Sequence, residues 1–165
     1  MQNKDFVKGV IPSSDLNGEN LKVLIVHTRW NSEIVNELVK GAVETLLSNK
    51  VKPDNILLHS VPGAYELPFA TKKLCKLLKP DSAISIGVLI KGSTMHFEYI
   101  SEAVSHGLMN VGLELEIPVI FGLLTLLNEQ QAGMTPDGHN HGIDWGQAAI
   151  EMAQITASSS KSVAK

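Results

Sequence analysis

The sequence has no excess of positive charge. It contains 14 lysine and arginine residues against 17 acidic residues, and Arg29 is its single arginine. The net charge is −3 at pH 7 and the pI is about 6.0. Because proteins that bind nucleic acids present a basic patch, this balance gives no support to a nucleic-acid partner.

Cysteine is almost absent. Cys75 is the one cysteine, so an internal disulfide is impossible and a reducing compartment, the cytoplasm, is expected. The residues from Lys72 to Leu78 follow a helical pattern, which favours a packing role for the Cys75 thiol over a nucleophilic one.

Long apolar runs are also missing. The N-terminal residues show no apolar segment typical of a signal peptide, and no run is long enough to cross a membrane. The 165 residues contain neither an internal repeat nor a linker, so residues 1–165 are expected to form one domain. Within it, residues 1–20 are predicted to be an N-terminal arm and residues 157–165 a flexible tail. The stretch Phe6–Pro12 is a candidate to extend the sheet of a neighbouring subunit.

What the chain does contain is four short apolar runs rich in β-branched residues. Nearly continuous hydrophobicity of this kind predicts strands of a parallel sheet that is covered on both faces. Helical patterns separate the runs, and this order predicts right-handed crossovers. We therefore predict a flavodoxin-like, three-layer α/β/α sandwich with a four-stranded parallel sheet. The predicted strands are Leu21–Thr28, Ile56–Val61, Ser82–Ile90 and Val119–Leu126. The first predicted helix follows Asn31, which is a candidate cap. The other predicted helices are Leu67–Leu78, His96–Val111 and Asp144–Thr156.

The turns that follow the strands hold most of the polar and aromatic outliers. They read HTRWN, VPGAYE, LIKGSTMH and LTLLNEQQ. In a parallel sheet all such turns lie at the carboxyl edge, where ligands bind. We therefore expect the functional site at this edge.

The third of these turns places Gly92, Ser93 and Thr94 before a helix that begins with His96. It is not a P-loop, because the residues between its two glycines belong to a strand and Lys91 precedes the second glycine. Free backbone N–H groups and hydroxyls at a helix N-terminus suit one small phosphate. A helix cap by one of the hydroxyls is an equally good interpretation of this stretch.

Three other residues of the turns each have two interpretations, and Phe121 of the fourth strand has one. His96 could exchange protons with a substrate, or it could be an ordinary surface or packed histidine. Trp30 could stack on a flat heterocycle or cover the end of the sheet. Glu66 could accept hydrogen bonds from sugar-like hydroxyls or match a helix dipole. Phe121 is predicted to lie in the core.

A second group of polar residues lies near the C-terminal helix. His139 and His141 are two residues apart in HNHG, and neither a cysteine nor a third histidine is nearby. We therefore favour a polar loop over a zinc site, and we predict no metal. Asp144 is expected to cap the last helix and Trp145 to pack in the core.

In their order and spacing, these segments resemble the lumazine synthase family, particularly its fungal members. The similarity covers Leu21 to Met152 in register. The blocks that carry it are HTRWN, LVKGAVE, VPGAYELP, GVLIKGSTMHFEYISEAVSHGLM, PVIFGLLT and HNHGIDWG. The resemblance implies a transferase of riboflavin biosynthesis that condenses 5-amino-6-ribitylaminouracil with 3,4-dihydroxy-2-butanone 4-phosphate. The products are 6,7-dimethyl-8-ribityllumazine, phosphate and water, and no cofactor is required.

The resemblance also implies a role for each candidate residue. His96 matches the proton-transferring histidine, and Asp144 falls in a cluster near the phosphate. The residues that match phosphate ligands are Gly92, Ser93, Thr94 and His141. The residues that match the ribitylaminouracil site are Trp30, Ala64, Tyr65, Glu66, Val88, Leu89, Ile90 and Phe121. Phe121 would enter the pocket from an adjacent subunit, which implies a homo-oligomer, and the fungal members point to a pentamer.

Two other classes of protein remain open at this point. A flavin- or nucleotide-binding module of flavodoxin type would use the same edge of the sheet without needing His96. A purely structural shell protein would assemble without turnover.

One expected residue is missing. The resemblance implies an arginine that clamps the substrate phosphate shortly after the EQA-like stretch, but here Gln131 is followed directly by Ala132 and Gly133. Either the protein has lost this clamp or the sequence omits part of a mobile loop, and we favour the second explanation. If the loss is real, weaker binding of the phosphate substrate is expected.

Overall fold

Four parallel strands form the central sheet, in the order β2–β1–β3–β4. The computed structural model describes residues 9–134 and 138–162, with side chains as far as Ala157. The strands are β1 (Val23–Thr28), β2 (Ile56–Val61), β3 (Ser82–Ile90) and β4 (Val119–Leu126). The predicted bounds are confirmed for the last three strands, and β1 begins two residues later than predicted. This strand order is that of a flavodoxin-like, doubly wound sheet, so the predicted fold class is confirmed.

Four long helices cover the sheet. They are α1 (Ser32–Ser48), α2 (Leu67–Leu78), α3 (His96–Leu115) and α4 (His141–Ser162). α2 has the predicted bounds, whereas α3 continues beyond the predicted end at Val111. α4 begins before Asp144 and continues into the segment predicted to be a flexible tail, so the fraying of that tail stays a prediction. None of the helices within the described ranges is long and apolar enough to span a membrane.

The predicted N-terminal arm is described only in part. Residues 9–20 carry no helix or strand, and Val10 and Ile11 are exposed. The first residues of the predicted sheet-extending stretch, 6–8, lie outside the described residues, as do residues 163–165 of the predicted tail. The arm therefore stays a prediction.

The core consists of two apolar layers, one on each face of the sheet. Val23 and Ile25 of β1 pack towards α1 and α4, whereas Leu24 and Val26 pack towards α2 and α3. All four side chains have no exposed surface. Because successive side chains of a strand point to opposite faces, a strand buried on both sides must be apolar throughout. This requirement explains the continuous apolar runs in the sequence.

Asn140 fixes the start of α4 against α1. Its side-chain oxygen accepts a hydrogen bond from the Gly142 N–H at 2.8 Å, and its amide donates to the carbonyl of Glu37 at 2.8 Å. Gly142 has no room for a side chain, since a Cβ there would overlap the carbonyl of Leu38. The prediction that Asp144 caps this helix is wrong, because Asn140 occupies the capping position and Asp144 lies inside the first turn.

Cys75 is a packing residue, as predicted. It lies in α2 with no exposed surface, and burial raises the pKa of its thiol to about 11. The thiolate is therefore scarce at neutral pH, and the thiol is also shielded from reagents.

We expect the native protein to resist iodoacetamide at pH 7.5 and to be fully labelled after denaturation in guanidinium, as measured by mass spectrometry. Complete labelling of the native protein within minutes would contradict this assignment.

Candidate active site

A cavity of about 650 Å³ opens at the carboxyl edge of the sheet. Its volume lies within the range of pockets that bind small molecules. The cavity unites residues from the turns after β1, β2 and β3 with the first turns of α3. Its lining residues are Trp30, Asn31, Gly63, Ala64, Tyr65, Glu66, Val88, Leu89, Ile90, Gly92, Thr94, His96, Phe97 and Ile100. Trp30, Glu66 and His96 were expected to share one cavity, and they do.

Backbone hydrogen bonds hold the first two turns together. The N–H of Arg29 donates to the carbonyl of Val61 at 2.9 Å, and the N–H of Trp30 donates to the carbonyl of Pro62 at 3.1 Å. Trp30 itself remains 73% exposed. The indole therefore stands at the rim of the cavity on a backbone that is fixed from two sides.

Asn31 has a different role from the one that its position in the sequence indicates. It precedes α1, but its side chain makes no capping hydrogen bond. Instead its amide donates to the carbonyl of Val88 at 2.9 Å, which ties the first turn to the end of β3. Its φ of 58° lies in the left-handed region, which asparagine tolerates better than most residues. Asn31 therefore braces the wall of the cavity.

Glu66 is held by its own loop. One carboxylate oxygen, Oε2, accepts a hydrogen bond from the N–H of Gly63 at 3.0 Å. Leu67 and Pro68 follow directly as the first residues of α2, so the carboxylate also lies at a helix N-terminus. Both interpretations of Glu66 are compatible with this geometry, because a carboxylate has further lone pairs for a ligand hydroxyl.

The turn after β3 also agrees with both of its interpretations. The hydroxyl of Thr94 accepts a hydrogen bond from the N–H of His96 at 3.3 Å, which is a local capping contact. Within the part of the chain that the structure describes, the N–H groups of Ser93 and Thr94 have no hydrogen-bond partner. A Cβ at Gly92 would meet no atom within 4 Å, so the space in front of the turn is open. Gly92 and Thr94 line the cavity, and Ser93 is exposed without lining it.

An ion pair spans this turn. The ammonium group of Lys91, just before Gly92, contacts the carboxylate of Glu98 in the first turn of α3. The ammonium also lies 5.7 Å from the ring centroid of Phe97. The Lys91 hydrogen bond holds the pKa of the Glu98 carboxyl below its usual value. This pair links the two ends of the turn that carries Gly92 and Thr94.

Phe121 lies outside this cavity. It is 46% exposed on β4, so the prediction that it lies in the core is wrong. β4 is the last strand of the sheet, and a strand with no neighbour on one side leaves more of its side chains exposed. Phe121 lines a second, mostly apolar groove of about 500 Å³ between α3, β4 and α4, together with Met109, Leu113 and Met152.

His141 and Asp144 also lie outside the cavity. They form a cluster with His139 at the start of α4, in which one oxygen of Asp144 lies 2.6 Å from His139 Nε2 and 3.5 Å from His141 Nδ1. The ring of His141 stacks against Trp145, with centroids 6.2 Å apart. Trp145 is half-buried and packs against the core beneath α4. Within the described ranges, this is the group of three side chains that could hold a metal ion.

The region of the missing arginine forms a tight turn. Glu129–Ala132 is a short 3-10 helix, closed by the side chain of Asn128, which accepts from the N–H of Gln131 at 3.2 Å. No lysine or arginine occurs anywhere between Lys91 and Lys161. The described part of this region therefore offers a phosphate no permanently charged side chain.

Four residues that line the cavity were not predicted from the sequence to belong to the site. They are Asn31, Gly63, Phe97 and Ile100. For Phe97 and Ile100 the signal was available, because both follow His96 in the first two turns of a predicted helix. For Asn31 and Gly63 it was not, because their roles depend on contacts with other segments.

Comparison with known proteins assigns the chain to a family. The family model described as 6,7-dimethyl-8-ribityllumazine synthase matches residues 20–157. A protein of that name from Schizosaccharomyces pombe is 58% identical over 151 residues, covering 88% of this chain and 94% of the relative. A relative of the same name from Pyricularia oryzae is 42% identical, with 88% and 92% coverage, and one from Clostridium kluyveri is 46% identical, with 85% and 92%. Since the matches extend over most of each chain and include every turn of the cavity, the chain belongs to the 6,7-dimethyl-8-ribityllumazine synthase family.

Proposed function

We propose that the cavity at the carboxyl edge of the sheet is where this enzyme condenses 5-amino-6-ribitylaminouracil with 3,4-dihydroxy-2-butanone 4-phosphate. The products are 6,7-dimethyl-8-ribityllumazine, phosphate and water, as part of riboflavin biosynthesis. The observation that carries this proposal is that Trp30, Glu66 and His96, from three separate turns, line one cavity of suitable size. Membership of the family supports it independently.

The cavity offers each part of the two substrates a suitable partner. The indole of Trp30 can stack on the pyrimidine ring, while backbone groups at Val88, Leu89 and Ile90 lie along the same wall. Ala64, Tyr65 and Glu66 form the neighbouring wall, where the carboxylate can accept hydrogen bonds from the ribityl chain. The proposed phosphate ligands are Gly92, Ser93, Thr94 and His141.

Proton transfer falls to His96. The reaction needs an amine to attack a ketone, phosphate to leave and a ring to close, so it depends mostly on orientation and a few proton transfers. His96 is the one histidine among the lining residues of the cavity. It lies beside the turn of Gly92 and Thr94, where the leaving phosphate would be bound.

We further propose that the working form is a homopentamer whose active sites lie between subunits. Phe121, His141 and Asp144 lie outside the cavity of their own chain, and Phe121 is exposed in an apolar groove beside the edge strand β4. A groove of this kind is suited to contact with a second copy. Phe121 and the α4 cluster would then complete the neighbour's cavity. A cytoplasmic location is proposed on the basis of the one unpaired cysteine.

The direct test mixes the purified protein with both substrates. Lumazine fluorescence should rise, and one inorganic phosphate should be released for each lumazine formed. A flavin- or nucleotide-binding module, or a shell protein, would bind ligand or assemble without forming product. Absence of product with both substrates present would therefore refute the proposed function.

Replacement of Trp30 should weaken binding of the ring substrate. Loss of one stacking partner costs about 0.5–1.5 kcal/mol, so Trp30→Ala should raise the KM for the ribitylaminouracil about 2- to 10-fold with little change in kcat. Steady-state kinetics with the second substrate at saturation measure this effect. Trp30→Phe is the matched control and should keep most of the affinity. Equal KM values for the native protein and Trp30→Ala would exclude stacking.

A further inference from the structure

The start of α4 carries three side chains whose donor atoms converge outside the cavity of their own chain. We propose that His139, His141 and Asp144 bind a divalent transition-metal ion, with Zn²⁺ as the best match. One nitrogen from each histidine and one carboxylate oxygen all lie within 4.8 Å of one another. Two imidazoles and a carboxylate are a common set of protein ligands for Zn²⁺.

The distances between the donor atoms are close to those of a coordinated ion. With Zn–N and Zn–O bonds of about 2.0–2.2 Å, the donors of a tetrahedral site stand about 3.3 Å apart. Asp144 Oδ2 lies 3.5 Å from His141 Nδ1 and 2.6 Å from His139 Nε2. To coordinate an ion, the contact between Asp144 Oδ2 and His139 Nε2 must lengthen slightly, and the nitrogens of the two imidazoles must move closer together. The side chain of His139 is 57% exposed, so it can rotate to close this gap while His141 stays against Trp145.

The backbone and the neighbouring rings hold these ligands in place. Asn140 pins the first turn of α4 to α1 through the carbonyl of Glu37, and the Gly142 backbone is packed against Leu38. The ring of His141 rests on Trp145. Two of the three ligands therefore lie on a helix turn with a fixed position, which lowers the entropic cost of binding an ion.

The electrostatic environment permits a cation. A helix N-terminus disfavours positive charge, but the N–H groups of Gly142 and Ile143 already donate to Asn140. The Asp144 carboxylate supplies a negative charge within the cluster. No lysine or arginine occurs between Lys91 and Lys161, so no basic side chain of α3, β4 or α4 up to Ser160 competes for this carboxylate.

The sequence prediction of no metal did not consider Asp144 as a ligand. It counted His139 and His141 and found no third ligand among cysteines and histidines, whereas the fold supplies Asp144 one helical turn after His141. Three protein ligands leave a fourth position for water or an exchangeable anion. The inference rests on the geometry of this cluster. In the proposed pentamer the same cluster faces the neighbour's cavity, so the fourth position would be open to the substrate phosphate as well as to water.

The test is a titration of the untagged protein in its native assembly. After treatment with EDTA and dialysis, isothermal titration with ZnCl₂ at pH 7.5 should show saturable binding of one ion per chain. His139→Ala and Asp144→Asn should each weaken this binding by about tenfold or more. His106→Ala, which removes an exposed histidine of α3, is the matched control and should bind as the native protein does.

A second measurement reports the place of binding. In a Trp30→Phe background Trp145 is the remaining tryptophan, and Ni²⁺ bound to the neighbouring His141 should quench its fluorescence. The quenching should disappear in His139→Ala at the same Ni²⁺ concentration. An absence of saturable Zn²⁺ binding, or binding that is unaffected by both His139→Ala and Asp144→Asn, would overturn the proposal. These results concern metal binding only, so they are distinguishable from a failure to form lumazine.

Discussion

Replacement of His96 by alanine should lower kcat about 100-fold while the KM values for both substrates change less than about threefold. His96 lies at the first turn of α3, on the wall of the cavity and next to the turn that holds Thr94. Its side chain is exposed, so water can take over part of its proton transfer. For this reason the expected loss lies at the lower end of the range for a general acid or base. Product fluorescence under steady-state conditions, with each substrate varied in turn, measures both parameters.

Two further variants separate proton transfer from other effects of this substitution. His96→Gln keeps a neutral side chain that forms hydrogen bonds but does not titrate, so it should be as slow as His96→Ala. His106→Ala removes an exposed histidine from the same helix, outside the cavity, and should leave turnover unchanged. If His96→Ala raised KM while kcat stayed at the native value, His96 would be a binding residue and the proposed proton transfer would be wrong.

The fold was predictable because its core is built from local patterns. A strand covered on both faces must be largely apolar, and Ser82–Ile90 is buried along most of its length. The edge strands Ile56–Val61 and Val119–Leu126 are partly exposed, but their apolar residues still mark them as strands. The ends of the helices were less predictable. α4 begins at His141 because Asn140 contacts Glu37 on α1, far away in the sequence. Local capping preferences do not distinguish Asn140 from Asp144, and this contact selects Asn140.

The candidate site was predictable where its residues belong to the turns after the strands. Trp30, Glu66 and His96 could be placed together because parallel strands bring these turns to one edge. Phe121 was misplaced because the order of the strands is not visible in the sequence, and an apolar residue of an edge strand has the same local pattern as one of a central strand. Asn31 was misread for a similar reason, since its partner Val88 lies on another strand.

The proposed sharing of active sites between subunits leads to a test by mixing. His96 lines the cavity of its own chain. Phe121 lies outside that cavity, and its side chain is 46% exposed. If each working site takes His96 from one subunit and Phe121 from its neighbour, then His96→Ala and Phe121→Ala impair the same site from opposite sides. Phe121→Ala alone should lower kcat/KM by up to about tenfold, through the loss of an aromatic contact.

Co-expression of the two variants in equal amounts should therefore restore activity. In random mixed rings about one quarter of the sites pair a native His96 with a native Phe121 from the neighbour, so kcat/KM per chain should be at least about a quarter of the native value. Without sharing, every site keeps one defect, and kcat/KM of the mixture should equal the mean of the two separate variants. For a tenfold loss in Phe121→Ala and a 100-fold loss in His96→Ala, that mean is about one twentieth of the native value. The variants mixed after separate assembly are the control for exchange, and light scattering should give each assembly a mass of about five times the 17.9 kDa chain. Activity equal to that mean in proven mixed rings would place Phe121 and His96 in the same subunit's site, or Phe121 in no site at all.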